Sequence, residues 1–107
     1  MKTNRDVIEQ ALRRLGVVAD DEAMTAGQRA YAEATLNALT LEIAEEAPVE
    51  WFPDLIPDKV FIPLANVLAA EIGPTYMVQT EPRSRALMRL MAVIRPDDRE
   101  PESAVYY

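Results

Sequence analysis

The chain of 107 residues contains no cysteine and no histidine. Without cysteine it can form no disulfide, no thiolate metal site and no cysteine nucleophile. Without histidine it lacks the commonest general base and the commonest metal-binding side chain. Glycine occurs only three times, at distant positions, so the sequence has no glycine-rich phosphate-binding loop. These absences favour a structural or binding role over catalysis.

The composition is that of an acidic globular domain. Acidic residues outnumber basic residues by 18 to 11, which gives a formal net charge of -7, and half of the residues are hydrophobic. This charge argues against broad binding of phosphates, although it is compatible with a negative surface past which DNA slides. No apolar run approaches the roughly 20 residues of a membrane span, and the start lacks the apolar core of a signal peptide. We therefore expect a protein of the cytoplasm, or of a particle assembled there.

Four segments show the apolar spacing of amphipathic α-helices. A chain of 107 residues fits one domain with one core. The predicted fold is therefore all-α, a four-helix bundle-like body with an extended C-terminal tail. The predicted helices cover residues 4–15, 26–46, 58–72 and 81–95.

Capping patterns mark several of the predicted helix ends. Gly16 is expected to stop the first helix, because glycine adopts a left-handed conformation at no steric cost. Thr25, followed three residues later by Gln28, forms a capping-box pattern before the second helix. The third helix is expected to stop at Gly73, and Thr80 is predicted to cap the fourth.

The second predicted helix is apolar over a wide arc, so we expect it to pack on more than one neighbour. Its apolar stripe is predicted from side chains at helical spacing, namely Tyr31, Ala34, Ala38 and Leu41. Three further side chains join this stripe in the predicted core, namely Leu36, Leu39 and Ile43.

An aromatic, proline-rich connector precedes the third predicted helix. Trp51 and Phe52 are expected to cover the core between helices. Pro63 conflicts with the helical pattern around it, because proline provides no backbone N–H group. In the first helical turn the missing group costs little, whereas deeper in the helix it would favour a kink.

The last twelve residues differ from the rest of the chain. Four acidic side chains and two prolines cannot bury enough apolar surface to fold alone. The end of the tail, however, contains side chains that favour a half-buried strand. We therefore divide the chain into a helical domain, residues 1–95, and an extended acidic tail, residues 96–107, which either frays or docks on a partner. The predicted partner-binding residues are Ala104, Val105, Tyr106 and Tyr107.

Few side chains are candidates for chemistry. Glu42 and Glu45 share a helix face beside Glu46, but a solvated helix end explains these acids better than a pair that cleaves glycosides. Arg85 and Arg89 are neighbours on the fourth helix. They form an ordinary charged face, contact acids of a neighbouring subunit, or touch phosphates. We assign no catalytic residue, no cofactor-binding residue and no metal ligand.

Three segments of the chain carry a resemblance to a known family, namely VIEQALRRLGV at residues 7–17, ATLNAL at residues 34–39 and LANVLAAEIGP at residues 64–74. They resemble the small helical head-to-tail adaptor proteins of tailed bacteriophages, also called connector or head-completion proteins. The nearest group is the tail accessory factors of short-tailed phages. With the last helix and the aromatic tail, the resemblance spans nearly the whole chain, through patterns of Leu, Ala and Gly.

The resemblance implies a structural virion protein, assembled in the host cytoplasm, without enzymatic activity or cofactor. Such adaptors form a ring, commonly of twelve copies, below the portal protein. The ring extends the DNA channel, retains packaged DNA and supports tail attachment. Its implied partners are the portal protein, copies of itself and other tail or connector proteins. DNA passes through without sequence-specific binding, and no membrane is involved.

Two other functions remain open at the level of sequence. One is a small acidic helical protein-interaction module of non-viral role, regulatory or antitoxin-like, which predicts a monomer or dimer. The other is a glycan-cleaving enzyme that uses Glu42 with Glu45 or Glu46, which predicts that Glu42→Gln abolishes activity and leaves the fold intact.

Overall fold

The computed structural model describes residues 1–19, 21–51 and 54–94, and within these ranges it contains four α-helices and no β-strand. The predicted all-α fold is confirmed. The helices are α1 (Asn4–Arg14), α2 (Ala26–Ala44), α3 (Asp58–Ile72) and α4 (Arg83–Ile94), and a 3-10 turn (Gly73–Tyr76) follows α3 directly. α3 is central, since it packs against each of the other three helices.

The capping residues and the apolar spacing of α1 both favour a helix over the same residues. Thr3 is the N-cap, and its side chain accepts a hydrogen bond from the backbone N–H of Asp6. Gly16 takes a positive φ of 76° after the helix, as predicted. The apolar side chains of this helix and of its C-cap, Leu15, are all buried, namely Val7, Ile8, Ala11, Leu12 and Leu15.

The capping box of α1 makes the stability of the fold depend on pH. The Thr3 backbone N–H donates to Asp6 Oδ2 at 2.9 Å, and this hydrogen bond lowers the pKa of the Asp6 carboxyl group. A carboxyl group with a lowered folded-state pKa contributes stability above its unfolded pKa of about 3.9. That stability is lost as the pH falls through the lower, folded-state pKa.

We therefore expect the melting temperature to fall as the pH drops below about 5, and to fall less in Asp6→Asn than in the parent chain. Thermal unfolding followed by circular dichroism at several pH values measures how steeply the melting temperature of each protein depends on pH. Equal slopes would show that the Asp6 carboxylate does not stabilise α1.

α2 begins at the predicted capping box, and it packs through only part of the wide apolar surface predicted for it. Thr25 and Gln28 exchange side-chain to backbone hydrogen bonds of 2.8 and 3.1 Å. α2 contacts both α1 and α3, which confirms that it packs on more than one neighbour. The buried side chains are Ala32, Leu36, Leu39 and Ile43.

The apolar stripe predicted for α2 was wrong in its first four members. Tyr31 is 40% exposed and Leu41 is 72% exposed, and Ala34 and Ala38 are exposed as well. α2 has two apolar faces about half a turn apart, and only one of them faces α1 and α3. The sequence period alone could not separate these faces, because both recur at helical spacing.

The connector brings the N-terminus beside the start of α3. Lys2 and Ile56 form an isolated antiparallel bridge through two backbone hydrogen bonds of 2.8 and 2.9 Å. Trp51 is half-buried and packs on the core; the predicted role of Phe52 lies outside the described residues.

α3 occupies the range predicted for it. Pro63 is the sixth helical residue, so it lies beyond the first turn. The N–H that it lacks would have bonded to the Lys59 carbonyl within the helix. Eight side chains of this helix are buried, namely Val60, Leu64, Ala65, Val67, Leu68, Ala69, Ala70 and Ile72.

The turn between α3 and α4 contains Gly73, at a position with too little space for a side chain. Gly73 has a right-handed conformation, with φ -49°, so it does not stop α3 by the left-handed route typical of glycine. The left-handed residue is Met77, with φ 58°.

The predicted cap of the fourth helix was wrong: α4 begins at Arg83, and the Thr80 hydroxyl donates to the Glu81 carbonyl instead.

Candidate functional site

The four terminal residues predicted to bind a partner, Ala104, Val105, Tyr106 and Tyr107, lie outside the residues that the structure describes. So does the whole predicted tail, residues 96–107. The division into a helical body and a docking tail therefore stays a prediction. The described residues form the body, and its outer surface is the candidate functional site.

The basic stripe predicted on the fourth helix is partly engaged within the chain. Arg89 Nη1 lies 2.6 Å from Glu81 Oε2, and the Arg89 side chain remains 59% exposed. Arg85 is exposed and makes no ion pair with the described residues. Both arginines thus lie on the solvent side of α4, beside the exposed side chain of Met88. Contact with a neighbouring subunit through Arg85 and Arg89 stays a prediction.

Arg83 joins three helices at one end of the body. Its Nη2 donates a hydrogen bond to Glu42 Oε2 on α2, and its Nε lies 2.8 Å from Glu71 Oε1 on α3. The hydrogen bond to Glu42 raises the pKa of the Arg83 guanidinium, so the group stays charged throughout the physiological range. About a third of the Arg83 side chain is exposed, and water therefore screens these pairs in part.

Sequence reasoning missed this junction. Glu42 and Arg83 are 41 residues apart, and helical spacing links only residues three or four apart. The one available signal was charge of opposite sign near the end of one helix and the start of another. That signal fits many pairs equally well in a chain with 29 charged residues, 18 acidic and 11 basic.

The carboxylates near the end of α2 do not assemble a glycosidase-like pair. Glu42 is bound to Arg83 and is about half exposed, and Glu45 and Glu46 are exposed. Carboxylate pairs that cleave glycosides flank a cleft that raises the pKa of one member; Glu42 instead faces a cation on an open surface. Within the described ranges, no group of three or more acidic side chains could hold a metal ion.

The exposed side of α2 is an apolar helix face that no other described helix covers. We call Tyr31, Ala34, Ala38 and Leu41 the α2 outer face. The Tyr31 hydroxyl is 2.8 Å from the Thr75 hydroxyl, which holds the aromatic ring at one edge of this face. Exposed apolar area on a helix marks a site of interaction more often than a solitary exposed leucine does.

Two grooves border the α2 outer face. A groove of about 380 Å³ runs towards α3 and ends at Glu42 and Glu71. A second groove, of about 270 Å³, lies beside the connector and is lined by Leu41 and the half-buried Trp51. The α2 outer face and the two grooves beside it therefore form one uneven surface, into which side chains of another protein can pack.

A polar hollow of about 380 Å³ lies on another side, between α1, α3 and the segment before α4. Asn66 Oδ1 and Glu81 Oε1 are buried there and accept no hydrogen bond from the protein. Such oxygens are commonly satisfied by water. The hollow is lined by Arg14, Leu15, Asn66, Ala69, Val78, Gln79, Thr80 and Glu81.

Comparison of this chain with models of protein families, with curated proteins and with solved structures gave no match. A search of the described helices for one long and apolar enough to cross a bilayer found none.

Proposed function

We propose that this protein is a head-to-tail adaptor of a tailed bacteriophage, a virion component that forms a ring below the portal. The observation on which the proposal rests is the correspondence between the resembling segments and the fold. Residues 7–17 cover most of α1, residues 34–39 lie in α2, and residues 64–74 cover the second half of α3 and the turn after it. Each similar segment contributes buried side chains to the core, among them Leu12, Leu36 and Leu68, and the second segment also contains Ala34 and Ala38 of the exposed α2 outer face.

The surface of the body supports assembly with other protein chains. The α2 outer face offers exposed apolar area with bordering grooves. On α4, Arg85 and Met88 offer a cation beside an apolar side chain. In a chain of net charge -7, acids of a neighbouring copy are natural partners for Arg85.

The tail supports docking on a different partner. The acidic, proline-rich composition of residues 96–103 is unsuited to forming a core of its own, and Val105, Tyr106 and Tyr107 can add to a sheet edge or enter a groove of a partner. Tyrosine is a typical anchor of protein interfaces. In a ring, many tails act together, so a weak single contact gives strong binding through effective concentration.

The proposal is tested by native mass spectrometry of this protein mixed with the portal protein encoded by the same genome. We expect about twelve copies to add to each portal ring, as in the resembling adaptors. Removal of residues 104–107 is expected to abolish this addition and to leave the helical circular dichroism signal unchanged. The matched control replaces Glu100 and Glu102 by glutamine, which keeps the aromatic end.

Two outcomes would contradict parts of the proposal. Full binding without residues 104–107 would show that the body, not the tail, docks on the portal. No association with the portal in any mixture would refute the adaptor function and favour the protein-interaction module of non-viral role.

A further inference from the structure

The α2 outer face continues at both ends with the same spacing. Gly27 precedes it and Glu45 follows it, so the sequence positions are 27, 31, 34, 38, 41 and 45, with steps of four and three in alternation. This is the seam spacing of two helices packed side by side. All six residues are exposed, and the buried face of α2 lies on the opposite side.

The seam is symmetric about position 36. A twofold axis at this level would place Tyr31 opposite Leu41, Ala34 opposite Ala38, and Gly27 opposite Glu45. The two large side chains, Tyr31 and Leu41, thus meet each other between the ends and the centre of the seam, and the small alanines meet at the centre. Small central residues allow two helices to approach towards the short end of the usual 8–10 Å interaxial range.

The helix dipole of α2 is not compensated by charged side chains in the first and last turns of the helix. Its first turn contains no acidic residue and its last turn contains no basic residue. Of its acidic residues, Glu33 lies near the middle of the helix, and Glu42 and the C-cap Glu45 lie near the C-terminal end, where the helix dipole already presents negative charge. Arg83 pairs with Glu42, but Glu45 forms no ion pair with the described residues.

From these observations we infer that a second copy of this chain packs on the α2 outer face, as an antiparallel, twofold-symmetric pair of α2 helices. The pairing places Glu45 of each copy at the positive N-terminal end of the other α2, beside Gly27. A side chain added at Gly27 would meet no atom of its own chain within 4 Å, so this end is open to the partner carboxylate. Apolar matching and charge matching thus select the same register.

The pair is a state of the free protein and does not depend on the proposed function. A single pair of 19-residue helices is about 28 Å long. A seam this short, with Tyr31 and Leu41 as its large side chains, is expected to bury less than the roughly 1,200 Å² of a stable interface. We therefore expect a reversible dimer, which dissociates when the α2 outer face is needed elsewhere.

Sedimentation velocity of the full chain from about 10 µM to 1 mM tests the pairing. The parent chain is expected to shift from monomer to dimer over this range. Leu41→Glu is expected to weaken dimerisation about tenfold or more, because it places a carboxylate against Tyr31 of the other copy. Leu55→Glu, at a position 52% exposed elsewhere on the surface, is the control and should dimerise like the parent.

The register is tested by disulfide cross-linking. Because the chain has no cysteine of its own, only the introduced cysteines can form disulfides. An equal mixture of Ala34→Cys and Ala38→Cys chains is expected to form mainly the mixed disulfide, because only these positions come within disulfide reach in the antiparallel pair. Predominance of the two symmetric disulfides would overturn the antiparallel arrangement. A parent chain that stays monomeric at 1 mM, or a Leu41→Glu chain that dimerises fully, would overturn the pairing and leave the tail or another protein as the occupant of the face.

Discussion

Replacing Leu68 by alanine is expected to lower the free energy of unfolding by about 3 kcal/mol, within the roughly 2–5 kcal/mol typical of buried leucines. Leu68 is fully buried and lies on α3, the helix that contacts all the others. The loss combines the transfer free energy of the removed methyl groups with the cost of the cavity left behind. Because a domain is stable by only ~5–15 kcal/mol, this single change removes a large part of the total.

Urea unfolding followed by circular dichroism, with linear extrapolation to water, measures this loss. Leu55→Ala is the matched control: Leu55 is 52% exposed, and its truncation is expected to change stability by less than about 0.5 kcal/mol. A loss below about 1 kcal/mol for Leu68→Ala would mean that the core around α3 closes over the missing side chain, contrary to the dense packing described above.

Adding one carbon atom at Gly73 is expected to destabilise the fold by about 1–3 kcal/mol. A Cβ atom built there lies 3.0 Å from the Val78 carbonyl oxygen and 3.0 Å from Thr80 Cγ2. The threonine can rotate, but the carbonyl belongs to the backbone of the turn. The same turn is closed by the Val78 N–H, which donates to the Gly73 carbonyl at 3.0 Å, so relieving the contact strains this hydrogen bond.

The same substitution at Gly27 should have the opposite sign. Gly27 lies in the first turn of α2 with nothing near its would-be Cβ, and alanine there restricts the unfolded chain. Gly27→Ala is therefore expected to stabilise the fold by about 0.4–1 kcal/mol. Thermal and urea unfolding of both variants distinguish a steric requirement at Gly73 from a general effect of removing glycine. Equal shifts in the two variants would exclude the steric account.

The helices of this chain could be predicted where local and tertiary preferences agree. α3 was located to its terminal residues, and the capping box of α2 was identified from the sequence. α2 shows where such prediction fails. Leu36 and Leu41 belong to two apolar faces of similar strength, and only packing against α1 and α3 decides which face is buried.

The candidate site was less accessible to prediction than the fold. The pairing of Arg83 with Glu42 and Glu71 depends on how α2, α3 and α4 meet, and no local pattern encodes that meeting. Arg89 was recognised as a surface cation, but its partner Glu81 lies eight residues away, in a turn whose course is set by Gly73 and Met77. Local reasoning therefore identified the charged residues and missed their partners.

The central position of α3 has a consequence for the chain while it is being made. α1 and α2 leave the ribosome first, but the helix that covers them both is the third to be synthesised. At ~5–20 residues per second, about 1–6 s separate the completion of Ala44, the end of α2, from that of Ile72, the end of α3. During this interval the apolar sides of α1 and α2 have only each other to pack against. Their chance of meeting another nascent chain is therefore greatest before the second half of this short protein exists.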